Sequence, residues 1–275
     1  MYQKFIYLFI FSFFLFSCSK NEIENTSPAD KEQSFIIYKE GVTSLKDGEY
    51  FYASKKFSEA EVILPTVEMA AKASLMSSYC LYLINFYDEA LLNLQAFIKN
   101  YPADKNIPYA YYLIAISSYE QILDEKKDIG ALQNSQKKIN EFLIKFPNTE
   151  YALDLSFKLD LINNQLAAKE LYVAKYYINT QKWIPAINRL RNIVDDYSET
   201  VFIEEALHRL VEVYYKVGLT DEANAAASLL GYNYNSGEWY KQSYKVLNKK
   251  YKINNKPPKK KDLGLIQRTI KKILK

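Results

Sequence analysis

A self-similar period constrains this chain more than any other feature. KDGEYFYASKKFSEAEVILP runs from Lys46 to Pro65, and INFYDEALLNLQAFIKNYP runs from Ile84 to Pro102. Ala53 and Ala90 stand 37 positions apart, as do Pro65 and Pro102, and so do Ala186 in TQKWIPAINRL and Ala223 in GLTDEANAAA. A period of this length holds two helices and their turns, and each unit buries its apolar face only against its neighbours. The special residues have mechanical reasons. Gly41, Ala53 and Ala60 leave room where helices approach closely. Gly48 turns the chain between the two helices, with Tyr50 filling the gap after it, and Pro65 lacks the N–H that a continuing helix needs. Composition agrees: 7 glycines and 8 prolines against 25 tyrosines and 15 phenylalanines favour helices that pack through aromatic rings.

The pattern resembles the tetratricopeptide repeat. The resemblance implies an all-α fold, an α-solenoid of about five helix-turn-helix repeats. The second repeat keeps Tyr87, Ala90 and Pro102 but has Asn85 where glycine is usual, and departs again at Ser78 and Phe97. Ser198 replaces the closing proline of the fourth, and the fifth keeps Gly218 and Ala223 but loses that proline. The third is stretched: its first helix reads Tyr109 to Leu123, DEKKDIGALQN is a long turn, and Pro102 to Pro147 spans 45 positions. A long helix is expected to begin near Asn148-Thr149-Glu150, where Asn or Thr can cap it.

The amino end has its own logic. Lys4 precedes the apolar run Phe5 to Phe16, broken only by Ser12. Such a run covers roughly 18 Å as a helix, short of the ~30 Å hydrocarbon core, so it reads as a signal-peptide segment rather than a span. Leu15, Ser17 and Cys18 in FLFSCSK resemble the bacterial lipobox, with Phe16 where a smaller residue is usual. That resemblance implies cleavage before Cys18 and acylation of its thiol, and acyl chains hold a protein firmly to a bilayer. An ordinary secretory signal with a stray cysteine is the alternative. By similarity to sorted lipoproteins, Ser19 favours the outer membrane. Cys80, the other cysteine, then has no disulfide partner and reads as a small core residue. The expected organisation is a signal peptide over 1–17, a flexible polar tether over 18–33, the repeats over 34–250 and a basic tail over 251–275.

Net charge is +4, but eight Lys/Arg and one acidic residue lie between Lys256 and Lys275, which leaves 28 basic and 31 acidic residues elsewhere. The basicity is a tail, not a nucleic-acid-binding face. In it, NKPPKKKD is a spacer, and Leu263, Ile266, Ile270 and Ile273 share one helical stripe beside Lys271, Lys272 and Lys275. This segment suits anionic lipid or a partner groove, with a solvated tail as the alternative.

Catalytic motifs are lacking. The single histidine, His208, has no second ligand or nucleophile in sequence reach, and no phosphate loop, HExxH, GxSxG or paired-cysteine motif occurs. Asp195-Asp196 reads as a solvated helix end. The expectation is therefore a non-enzyme without metal or cofactor. Function is expected on a surface, because the first helices of stacked repeats line a concave face. Repeat phase places Phe35, Tyr38, Val42 and Leu45 there, then Leu75, Tyr79 and Tyr82, then Tyr109, Tyr112, Ile116 and Tyr119. A tyrosine-rich groove suits a peptide, since each ring offers apolar area and a hydroxyl. The same phase also suits inter-helix packing, so groove and core stand as alternatives for each ring. His208 falls at a groove-facing phase too, with packing as the simpler alternative.

Lys145 to Thr200, KFPNTEYALDLSFKLDLINNQLAAKELYVAKYYINTQKWIPAINRLRNIVDDYSET, and Leu230 to Leu247, LGYNYNSGEWYKQSYKVL, resemble the BamD family, the lipoprotein subunit of the machine that folds β-barrels into the outer membrane. The resemblance covers Phe35 to Leu247, and departs at Ser198, Asn235 and Gly237. It implies an anchor on the periplasmic side of the outer membrane and N-terminal repeats that receive the C-terminal signal of unfolded barrel proteins. It also implies C-terminal repeats that dock the barrel-forming subunit through its periplasmic domains, beside other assembly lipoproteins. Arg189, Arg191, Trp239 and Tyr240 are the candidates for that docking. A secretin pilotin and a cell-wall-associated, glycan-binding repeat protein are the alternatives from other classes.

Overall fold

The computed structural model describes residues 28–122, 129–235 and 237–248. All regular structure among them is helical, in eleven helices that pair as the period demands. The signal peptide, Cys18, most of the tether and the basic tail lie outside the described residues. The chain divides into two compact units, Met1–Phe86 with Lys99–Asp104, and Tyr87–Ile98 with Lys105–Lys275.

The first unit holds α1 (Pro28–Lys46), α2 (Tyr50–Ile63), α3 (Val67–Leu83) and the end of α4 (Tyr87–Asn100). Helix α1 starts six residues before the expected boundary at 34. Proline at a first helical position costs no hydrogen bond, so Pro28 opens the helix where the polar sequence reads as tether. Gly48 reverses the chain with φ of 81°. Helix α2 stops at Ile63, and Leu64 is extended (φ −64°, ψ 138°), the conformation a following proline imposes. Thr66 then caps α3, its hydroxyl accepting from the Met69 N–H at 3.3 Å.

Two clusters hold this unit together. Phe57, Ala53 and Cys80 are fully buried, with Tyr38, Val42, Leu45, Tyr50 and Met76 packed around them. Gly41 lies on the Phe57 ring so closely that a Cβ there would stand 3.1 Å from it. The second cluster joins Ala60, Leu64, Ala70 and Ala73 to Ile37, Tyr38, Met69 and Tyr101, and the Tyr101 hydroxyl donates to Glu61 at 2.9 Å. Small side chains let α2 and α3 approach closely, and the hydroxyls brought inward satisfy each other: Ser77 bonds Ser54 at 2.9 Å and Ser58 at 2.8 Å.

The second unit takes the first part of α4, then α5 (Ile107–Glu120), α6 (Ile129–Lys145), α7 (Glu150–Asn179), α8 (Trp183–Asp196), α9 (Ile203–Lys216), α10 (Thr220–Asn233) and α11 (Glu238–Leu247). Helix α6 begins at Ile129, so the last six residues of the expected turn are helical instead. Leu132 and Ser135 explain this, since both are buried on the α6 face that carries Ile139 and Phe142. Helix α7 opens after Thr149 as expected and runs for 30 residues. Its first half packs Ala152, Leu155 and Ile162 with α5 and α6. Its second half packs Ala167, Leu171 and Ala174 with α8, α9 and α10. Ile203, Leu207, Leu230 and Tyr240 seat α11 on α9 and α10. None of the described helices is long and apolar enough to cross a membrane.

Candidate functional site

In the first unit, Phe35 is 45 % exposed, whereas Tyr38 is half-buried with its ring edge-on to Phe57 at 5.4 Å. Tyr79 and Tyr82 are half-buried and stacked at 6.5 Å on the last turns of α3. Leu75 is core. The surface that remains is therefore the outer edge of these rings together with Phe35. A further aromatic pair went unread in the sequence: Phe51 and Phe86, both exposed, meet at 6.0 Å beside the first two repeat turns, with the Lys55 ammonium 4.7 Å from the Phe51 ring.

In the second unit the tyrosines gather. Tyr112 stacks on Tyr151 at 4.8 Å, Tyr109 stands 6.1 Å from Tyr112 and 5.6 Å from Tyr151, and the Tyr112 hydroxyl donates to Asp154 at 3.1 Å. The Lys158 ammonium links this group to Tyr119, lying 5.5 Å from that ring and 2.6 Å from Asp154. A patch of half-buried rings over an ordered carboxylate and ammonium offers apolar faces and both hydrogen-bonding senses. Ile116, a groove candidate in the sequence, is buried. Tyr151, Asp154 and Lys158 were missed because they belong to the next repeat, and only packing brings them to α5.

The carboxy-terminal candidates separate on inspection. Arg189 bonds the Glu170 carboxylate at 3.0 Å, and Asn192 bonds the same group at 3.1 Å. Arg191 is half-buried on α8. Tyr240 is 8 % exposed and 4.7 Å from Tyr244, so its part is packing rather than an open contact. Trp239 is half-buried, between His208 at 5.1 Å and the Arg209 guanidinium at 5.5 Å.

His208 is core, not groove. His208 Nδ1 and Ser243 Oγ are hydrogen-bonded at 2.8 Å, and Ser243 Oγ also lies 2.9 Å from the Trp239 carbonyl. The His208 Nε2 lies 3.5 Å from Glu212, which Arg209 also bonds at 2.7 Å. His208 first, then Arg209, holds the Glu212 carboxyl well below its ordinary 4.5, at about 2. A depressed folded value means that stabilisation from this carboxylate is complete above about pH 4.5 and lost as pH falls toward about 2. Glu212→Gln is therefore expected to flatten the acid limb of a melting-temperature profile over that window. An unchanged limb would show that the contact carries nothing. Partial exposure keeps the effect small.

One more surface emerges only from the structure. The face of α7 turned away from the core carries Leu153, Phe157, Leu161, Tyr172 and Tyr176, all exposed. No group of three or more His, Cys, Asp or Glu that could hold a metal occurs among the described residues.

Comparison with known proteins bears on these surfaces. The model of the family YfiO, outer membrane lipoprotein, matches residues 30–229. The chain is 40 % identical over 211 residues to the outer membrane protein assembly factor BamD of Rickettsia prowazekii, covering 77 % of this chain and 84 % of that one. It is 35 % identical over 213 residues to the protein of the same name from Caulobacter vibrioides, covering 78 % and 70 %. Against that of Xylella fastidiosa, identity is 26 % over 215 residues, covering 74 % of each chain.

Proposed function

This chain belongs to the YfiO family of outer membrane lipoproteins, and from that premise we propose that it is the lipid-anchored subunit of a β-barrel assembly complex. It scaffolds the barrel-forming subunit through its C-terminal repeats and receives unfolded outer-membrane proteins on its N-terminal ones, without catalysis. Cys18 carries the acyl anchor on the periplasmic side. The observation that most supports this reading is the extent of the likeness: the family match runs from α1 into α10, across all five helix pairs. The half-buried tyrosine edges of Tyr79, Tyr82, Tyr112 and Tyr119 suit an unfolded polypeptide, which presents both apolar side chains and unpaired backbone groups.

Depletion of the protein in its own cells tests the proposal. The expected result is loss of folded β-barrel proteins from the outer membrane. Normal barrels would sink it, and normal barrels with missing secretin pores would assign the chain to secretin export. For the scaffold contact, Arg191→Glu is the cleaner probe, because Arg189→Glu would also set a carboxylate against Glu170. Arg191→Glu is expected to reduce co-purification of the barrel-forming subunit, most visibly at low salt. Unchanged recovery would take Arg191 out of the contact.

A further inference from the structure

We infer that the exposed face of the first half of α7 is the docking site for the chain's own C-terminal segment, Leu263 to Ile273. The face is built for an apolar, basic partner. Leu153 is 80 %, Phe157 63 % and Leu161 39 % exposed, and steps of four place them in one row along the helix. A phenylalanine and two leucines in line on open surface mark an interaction site rather than scattered exposure. Glu150, Asp154 and Asp160 border that row, and from Glu150 to Leu161 the single cation is Lys158, which Asp154 already binds at 2.6 Å.

The segment from Leu263 onward has the complementary pattern. Leu263, Ile266, Ile270 and Ile273 recur at alternating steps of three and four, with Arg268, Lys271, Lys272 and Lys275 around them. Apolar side chains meet an apolar row, and cations meet an acidic border. The chain also reaches. Tyr244, Val246 and Leu247 at the end of α11 pack in the cluster that contains Leu171 and Ala174 of the same α7. From position 171 back to Phe157 is ~21 Å along a helix, and the residues between Leu247 and Leu263 span up to ~50 Å when extended. A helix as short as this segment is marginal alone, and a matching apolar face supplies the burial it lacks. Tethering adds an effective concentration in the millimolar range, so a weak match suffices. The inference stands apart from the proposed function, since it concerns contacts within one chain.

The test uses the full-length protein carrying Phe157→Cys and Ile270→Cys, treated with a short bismaleimide. Phe157 is exposed, so its replacement leaves the core intact; Cys80 is buried, and Cys18 is replaced by serine so that no other thiol competes. The expected result is an intramolecular link between positions 157 and 270, lost when Ile266→Asp and Ile273→Asp are added. Ser228→Cys on the exposed side of α10, paired with Ile270→Cys, is expected to give no link. Absence of the 157–270 link, equal linking at 228, or linking only between two molecules would overturn the inference. So would a segment that reaches position 157 in no sample yet carries the protein down with phosphatidylglycerol vesicles.

Discussion

Phe57→Ala is expected to lower the stability of the first unit by about 3–5 kcal/mol, the range for emptying a phenylalanine-sized space in a packed interior. The ring is fully buried beside Gly41, Ala53 and Cys80, whose side chains are too short to fill the void, and where in that range the loss falls depends on how far Leu45 and Met76 relax into it. Tyr38, edge-on to the ring at 5.4 Å, loses an aromatic contact as well. Urea unfolding gives the test: the midpoint should fall while the slope holds. A loss below about 1 kcal/mol would mean that the site collapses freely and that Phe57 does not organise the first helix pair. Gly41 sharpens the reading. In the parent protein Gly41→Ala gains about 1 kcal/mol of helix propensity but presses a methyl group to 3.1 Å from a fully buried ring, so on balance it should destabilise. In the Phe57→Ala background the same methyl enters empty space and should restore part of the loss. That change of sign is a coupling between two residues in contact, and its absence would place the Gly41 backbone away from the ring.

The repeat period makes most of this architecture legible in the sequence, because its markers answer to backbone geometry. Positive φ occurs at Asn85 and Gln181 as well as at Gly48 and Gly218, so the turn recurs at one phase in four repeats. Asn85 reads in the sequence as a departure from glycine, yet asparagine tolerates that conformation and keeps the turn. Gln181 gives no such signal, because nothing in glutamine announces a left-handed turn. Exposure was harder to read than helix placement. Helix α7 has apolar residues nearly all round, so spacing alone does not say that Leu155 and Ile162 are core while Phe157 and Leu161 face solvent. The tyrosines show the same limit from the other side. Tyr38, Tyr79, Tyr112 and Tyr119 were open between groove and core, and each is half-buried with its ring against a neighbour. Tyr240 reads as a docking candidate in the sequence and His208 as either groove or packing; the closing helix α11 covers both, and its docking depends on contacts 35 residues apart in sequence.

That docking hinges on Gly231, where Gly231→Ala is expected to destabilise the carboxy-terminal helices even though alanine is the better helix former. In an open helix the exchange would gain about 1 kcal/mol. Here an added Cβ would stand 2.6 Å from the Tyr240 ring and 3.2 Å from the Tyr244 hydroxyl. The Tyr240 ring has no free space to yield, for it is buried with Ile203, Leu207 and Leu230. Overpacking of this kind costs about 1–3 kcal/mol, which outweighs the propensity gain. The strain falls on α11, the shortest of the described helices. Trp239 reports it: displacement of α11 pulls the indole from His208, so emission should shift to the red in a Trp183→Phe background, and amides of α11 should exchange faster. Gly48→Ala is the comparison. There nothing lies within 4 Å of an added Cβ, so the cost comes from φ of 81° alone and leaves Trp239 untouched. If Trp239 takes part in binding the barrel-forming subunit, Gly231→Ala should weaken that complex without touching any residue that faces it. A Gly231→Ala protein more stable than its parent, with Trp239 emission unmoved, would show that α10 and α11 do not approach this closely, and the assignment of Gly231 as their point of contact would fall.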